Sequence, residues 1–169
     1  VKVQEETVRR TNKRIFALYV GFFAGVLWGG LKIVEQYFHL TSLSPGFLIE
    51  PFYKHSFLSA WPGYLLGWGS FILFSILASL IYAIALAKAK GPWPGICYGL
   101  LWWGLIFLLI GPLSGMTEWI AYMDWNTIST DACLFVLWGL FIGYSISFEF
   151  TEERTREPFS PKRKGPQPE

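Results

Sequence analysis

Hydrophobic positions along this chain fall into four long runs, separated by polar or mixed segments of unequal length. The runs cover 15–34, 64–87, 94–113 and 132–148. The first carries one charge, Lys32, and the second and third carry none. At about 1.5 Å rise per residue, roughly 20 residues cross the ~30 Å hydrocarbon layer of a bilayer. Backbone groups in lipid must satisfy each other within the segment, so each run predicts a helix. The fold expected is all-α, an integral membrane four-helix bundle. Its parts are a basic tail at 1–14, a four-helix domain at 15–150 and a disordered tail at 151–169. Within the domain, outer loops at 35–63 and 114–131 and an inner loop at 88–93 join the spans.

Composition agrees with this pattern. Of 169 residues, 53% are hydrophobic and 15% charged, against about 25% charged in a soluble domain. Net charge is only +2, which gives no reason to expect nucleic acid. Charge placement is more informative than its sum. Lys2, Arg9, Arg10, Lys13 and Arg14 precede span one, Lys88 and Lys90 join spans two and three, and Arg154, Arg156, Lys162, Arg163 and Lys164 follow span four. Only Lys32 and Lys54 fall on the other side. Positive residues stay inside, so both termini are expected in the cytoplasm. Trp61, Trp119 and Trp125 at one boundary and Trp93 at the other suit the headgroup level. The first run has a basic lead like a signal peptide, but no small-x-small site follows, so it reads as an uncleaved span.

Small residues recur at helical spacing in every span. They are Gly21, Gly25 and Gly29 in the first; Gly63 and Gly67, then Ser75, Ser79, Ala83 and Ala87, in the second; Gly95, Gly99, Gly111 and Gly115 in the third; Gly139 and Gly143 in the fourth. Such rows let helix backbones approach closely in lipid, where burial alone gives no drive to associate. The pattern leaves open which faces pair, and whether one serves a second subunit. The short 88–93 turn makes spans two and three antiparallel neighbours. Gly111-Pro112 is expected to end or kink span three.

The first outer loop is apolar for a connection, with Phe47, Leu48, Ile49, Phe52, Tyr53, Phe57, Leu58 and Trp61. Pro51 predicts the start of a short helix with Tyr53, Phe57 and Trp61 on one stripe. The expected picture is a segment lying at the membrane interface; the alternatives are a cap over the bundle or a docking face. The second outer loop holds Glu118, Asp124 and Asp131 without a base. Asp124 to Thr130 offers several N-caps, placing Asp131 in the first turn of span four. The sharper alternative is a cation site where Glu118, Asp124 and Asp131 meet Glu35 or Glu50.

Lys32, Glu35 and His39 share a helical face, and Lys32 is expected to pair with Glu35. His39 and His55 are the two histidines. With Glu35 and Asp131 they have metal-ligand chemistry, but their spacing matches no metal motif, and no metal is expected. Cys97 and Cys133 sit near opposite ends of their spans, ~20 Å apart in depth and far beyond disulfide reach of ~7 Å. Both read as buried apolar residues. No nucleotide loop, nucleophile elbow or zincin motif is present, so neither a cofactor nor enzymatic activity is expected.

The stretch DWNTISTDACLFVLWGLFIGYSISFEF at 124–150, PGICYGL at 94–100 and the Leu43-Ser44-Pro45 turn resemble the YqhR family of bacterial membrane proteins. The overall plan of basic tail, four spans and long first outer loop is similar too. The resemblance spans roughly 13–150 and implies a membrane location and a bacterial source. It carries no catalytic or binding residues over. The function expected is a non-enzymatic partner, subunit or assembly protein of the cell membrane. Its partners would be the lipid bilayer and a membrane protein or further copies of itself, with no nucleic acid. The alternative is a small oligomeric transport or ion-binding protein that uses its outer acidic and histidine residues.

Overall fold

The computed structural model describes residues 12–86, 89 and 91–155. The tail through Thr11, with its basic residues to Arg10, lies outside the described residues. So do Ala87, Lys88, Lys90 and the tail from Arg156. Helices run in the order α1 (Lys13–Tyr37), α2 (His55–Leu58), α3 (Trp61–Ala85), α4 (Trp93–Gly104), α5 (Gly111–Ser114) and α6 (Trp125–Thr155). The described residues include no strand. Four helical segments are long and apolar enough to cross a bilayer: Lys13–Tyr37, Trp61–Ala85, Trp93–Ser114 and Trp125–Phe150.

Local chemistry sets the helix ends. The Asn12 side chain accepts from Arg14 N–H and caps α1. Proline enters the first turn of α3, α4 and α5, where a missing N–H costs nothing. Between α4 and α5, Leu105–Ile110 forms one wide π turn, with Gly111 N–H donating to Ile106 O, five residues back. The cause is Pro112, whose ring would clash with the Leu108 carbonyl in a regular helix; widening the turn ahead of it removes the clash. The third span is therefore widened at Gly111-Pro112 and ends at Gly115, which sits at φ 77°.

Span four departs from expectation. α6 opens at Trp125, seven residues before the run at 132–148, and Ile128 N–H donates to Asp124 O at 3.1 Å. Asp131 therefore lies in the second turn, not the first, and the 114–131 loop ends at Asp124. Thr127 and Asp131 tolerate this early start because both face inward and find partners there. At its other end α6 runs to Thr155, past the 151 boundary expected for the tail.

The bundle is built as two helix pairs. α1 packs along α3, α4 packs along α6, and α1 against α6 joins the pairs. Glycine sets each close approach. A methyl group on Gly25 would lie 2.6 Å from Ile72 Cα, and one on Gly21 2.7 Å from Ile76 Cα. Ser75 and Ser79 complete that seam, and Ser79 Oγ donates to Ala17 O at 2.7 Å. Gly29 backs onto the Trp68 ring, whose Nε1 donates to Val26 O. On the second seam, methyls on Gly139 and Gly143 would come 2.5 Å from Gly99 Cα and Gly95 Cα. Gly63 faces the Phe57–Leu58 backbone and Gly67 the Gly46 backbone, so these two seat the connection between α1 and α3. These faces all meet other parts of the same chain. Spans two and three touch through side chains: Tyr98 OH donates to Ala78 O at 2.7 Å, and Phe74 meets Trp102 edge-on at 5.0 Å. Large rings hold them further apart than the glycine seams hold their helices.

Polarity is inverted relative to a soluble protein. Ser75 and Ser79 are fully buried, whereas Leu73, Leu77, Leu101, Leu109 and Leu113 are exposed. That arrangement suits lipid, where the outer surface must be apolar and the small and hydroxyl residues belong at helix contacts. Cys97 and Cys133 are free and exposed, not buried. Their neighbours Tyr98 and Gly99, and Leu134 and Phe135, take the packed faces instead. Through the middle, Phe71, Phe74, Tyr98, Phe135 and Trp138 interlock at ring separations of 5.5 to 6.3 Å, and Trp138 Nε1 donates to Ser75 Oγ.

Candidate functional site

The α1–α3 connection forms a cap on one end of the bundle. Pro51 does not start a helix; it falls inside a 3-10 turn at Phe47–Phe52, and Tyr53 is extended. The expected single stripe is therefore broken, although Tyr53 and Phe57 still stack at 5.6 Å. The reason is burial elsewhere: Phe47 and Leu58 turn inward and are almost fully buried, as are Leu43 and Thr41. Phe52, Tyr53, Phe57 and Trp61 remain outside. Half of the loop is thus a folded lid and half an exposed aromatic rim.

A buried ion pair fastens this cap. Lys32 in α1 pairs with Asp131 in α6, with side chains 4% and 1% exposed. Lys32 Nζ also donates to Thr41 Oγ1 at 3.2 Å, and Thr41 Oγ1 donates to Asp131 Oδ2 at 3.1 Å. The Phe47 ring centroid lies 5.9 Å from the ammonium, close enough for a cation–π contribution. One turn away, Thr127 Oγ1 accepts from Ser42 N–H at 3.0 Å. The Gln36 amide faces Thr41 O at 3.2 Å and Leu43 O at 2.7 Å, and donates to both when oriented with its nitrogen toward them. Three parts of the chain therefore converge: α1 through Lys32 and Gln36, the cap through Thr41 and Ser42, and α6 through Thr127 and Asp131.

Lys32 thus bonds to Asp131 and Thr41, not to Glu35 as helical spacing suggests. Asp131 faces it across the helix contact, whereas a side chain three residues along the same helix lies beside it. Glu35 is itself buried, at 7% exposure, and its Oε2 has no hydrogen-bond partner among the described residues.

His39 is exposed at φ 56°, with Leu40 N–H donating to Glu35 O and His39 N–H to Gln36 O. This is a Schellman ending in which histidine occupies the left-handed position usually held by glycine. Its place is structural, away from the buried pair. His55 opens α2, and its side chain lies outside the described residues. Among the described side chains, Glu35 and Asp131 are buried while His39 is exposed beyond the helix end, so these three are not brought together as a ligand set. Among the described residues no three His, Cys, Asp or Glu side chains are placed to hold a metal.

The acidic loop residues separate. Asp131 goes to Lys32, while Glu118 and Asp124 join Glu50 along a polar cleft of about 460 Å³ at the cap end, also lined by Ser42, Ser44 and Thr117. Asp131 thus leaves the cation site conceived for it. Thr41, Ser42, Gln36 and Thr127 were invisible as site residues, since nothing in their local sequence marks them. Lys32 and Asp131 carried one signal: opposite charges at matching depth in spans one and four.

Comparison with known proteins adds the family. A family model described as "Conserved membrane protein YqhR" matches residues 2–160. The chain belongs to the YqhR family of conserved membrane proteins. The protein from Bacillus subtilis (strain 168) described as "Uncharacterized protein YqhR" is 37% identical over 136 residues, covering 78% of this chain and 74% of that one. No solved structure matches the chain. The YqhR match agrees with the four apolar helices, and the Lys32–Asp131 pair and the cap both fall within the matched residues.

Proposed function

We propose that this YqhR-family protein is a non-enzymatic partner, subunit or assembly protein of the bacterial cell membrane. The cap faces outward and both termini lie in the cytoplasm. The buried latch of Lys32, Asp131 and Thr41 carries this reading. A simple connection between spans needs no ion pair reaching into the bundle, whereas a preformed surface offered to a partner does. The ring-filled middle of the bundle supports the same view, because it places packed aromatic side chains where a conduction route would run. The orientation rests on the twelve Lys and Arg at the tail end against two near the cap. A reporter active only in the cytoplasm, fused behind Glu169, should be active.

The deciding experiment is affinity purification of the full chain from native membranes in mild detergent, with mass measurement and identification of co-purifying proteins. A stoichiometric second protein supports the partner reading. A homo-oligomer without a partner overturns it. A second reading, a small oligomeric ion-binding or transport protein, is favoured by one observation: Lys32, Glu35 and Asp131 are ionisable groups buried inside otherwise apolar helices. Ion flux in liposomes containing the purified chain would test it.

A further inference from the structure

Three ionisable side chains share the cap end of the bundle interior: Lys32 and Glu35 from α1, and Asp131 from α6. Hydrogen bonding divides them unequally. Both Asp131 oxygens are engaged, Oδ1 by Lys32 and Oδ2 by Thr41. Lys32 also reaches Thr41. Glu35 Oε2 is buried with no donor among the described residues. With every group ionised, the buried set holds one positive and two negative charges. Among the described residues Lys32 is the one buried cation, and the cap over it contributes Glu50 and an exposed Lys54. α3 contains no Asp, Glu, Lys, Arg or His, α6 presents Asp131, and His39 beyond the helix end is exposed. Glu35 also lies in the last turn of α1, where the unpaired carbonyl ends of the helix disfavour a negative side chain. A carboxylate offers only acceptors, and burying one without a donor is costly; a carboxylic acid is neutral.

We propose that Glu35 is a proton-binding site, and that its proton seats the Thr41–Phe47 segment of the cap on the bundle. The bound proton makes the buried set neutral, with Lys32 and Asp131 cancelling each other. Its loss leaves one uncompensated negative charge beneath the cap, which lifts to admit water. The proton exchanges with the aqueous phase at the cap end, since Glu35 lies in the last turn of α1 and the polar His39 just past it is exposed. A chain without any protein partner would still carry this proton.

Two measurements on the full-length protein in lipid nanodiscs test the site. The first follows cap opening by thiol labelling of Ser44→Cys, a near-isosteric change at a position 6% exposed, in a Cys97→Ala/Cys133→Ala background. Labelling by a membrane-impermeant maleimide, corrected for the reagent's own pH dependence, is expected to accelerate as pH rises. The added substitution Glu35→Gln, which is permanently neutral, should abolish that acceleration and keep labelling slow. Acceleration that persists in Glu35→Gln, or is absent from the parent, overturns the proposal. The second measurement needs no substitution at Glu35. Infrared spectra of protein labelled with 13C-glutamate should show a protonated-carboxyl band that carries the isotope shift, is still present at about pH 6, above the ordinary range of exposed glutamates, and fades at higher pH. Absence of that band at about pH 6 overturns the proposal even if Glu35→Gln fails to fold. A labelling rate that follows sodium concentration at fixed pH, with no such band, assigns the site to a metal cation and also overturns it.

Discussion

Replacing Asp131 by Leu tests the latch quantitatively. Lys32 is 3% exposed, so removing its carboxylate leaves an ammonium with one hydroxyl, an aromatic face and, in electrostatic reach, the Glu35 carboxyl, which offsets part of the loss. Breaking a buried pair from one side costs about 3–5 kcal/mol. Thr41 also loses its acceptor at 3.1 Å, a further contribution of about 1 kcal/mol. Against this, Lys32 stands five residues before the end of α1 at Tyr37, about 7–8 Å along the axis. That distance is within reach of a lysine stem, which relieves part of the loss by turning its head toward water. The net expectation is about 3 kcal/mol. Lys32→Met should cost a similar amount, by orphaning Asp131. The double variant Lys32→Met/Asp131→Leu should return to within about 1 kcal/mol of the parent, because two apolar side chains replace a desolvated pair. Equilibrium unfolding in mixed micelles, followed by tryptophan fluorescence, supplies the three differences. Their coupling should exceed about 2 kcal/mol. Additive losses, with the double variant at the sum of the singles, would refute the latch.

Three other outcomes follow from the packing. Gly25→Leu should separate α1 from α3, since even a methyl group meets Ile72 Cα at 2.6 Å; a loss of at least about 1–3 kcal/mol is expected in the same unfolding assay. His39→Gly should raise stability by about 0.5–1 kcal/mol, because glycine adopts φ 56° without the strain a side chain brings; an unchanged midpoint would count against strain there. Tyr98→Phe should cost about 0.5–1.5 kcal/mol by deleting the 2.7 Å bond to Ala78 O, while Tyr144→Phe, on an exposed face, should be silent.

The spans were legible because nothing but a bilayer asks for four apolar runs of this length. The glycine rows were legible as close-contact faces for the same reason: helices in lipid have few other ways to associate. Their pairing was not. Span one prefers span two because Ser75 and Ser79 receive Gly21 and Gly25, and spans three and four match glycine to glycine. That complementarity exists only in three dimensions. Large rings on Tyr98, Trp102 and Phe74 set the spacing of spans two and three, where loop length alone established adjacency. The latch was hidden by distance. Lys32 and Asp131 are 99 positions apart, and Glu35 offered a local answer three residues away. The early start of α6 was hidden with it, since Thr127 and Asp131 look like cap residues until their inward partners are known.

The separation of Lys32 from Asp131 also orders the making of the protein. A ribosome adding roughly 5–20 residues per second delivers Asp131 about 5–20 seconds after Lys32. Until Asp131 is made, the lysine has no partner across the bundle and the lid has no anchor on the last helix. The nearest carboxyl during the wait is Glu35, one turn further on. Only when the last helix enters can the ammonium take its carboxylate and the lid close. The chain therefore completes its cap last, by a contact that ties the first helix to the final one.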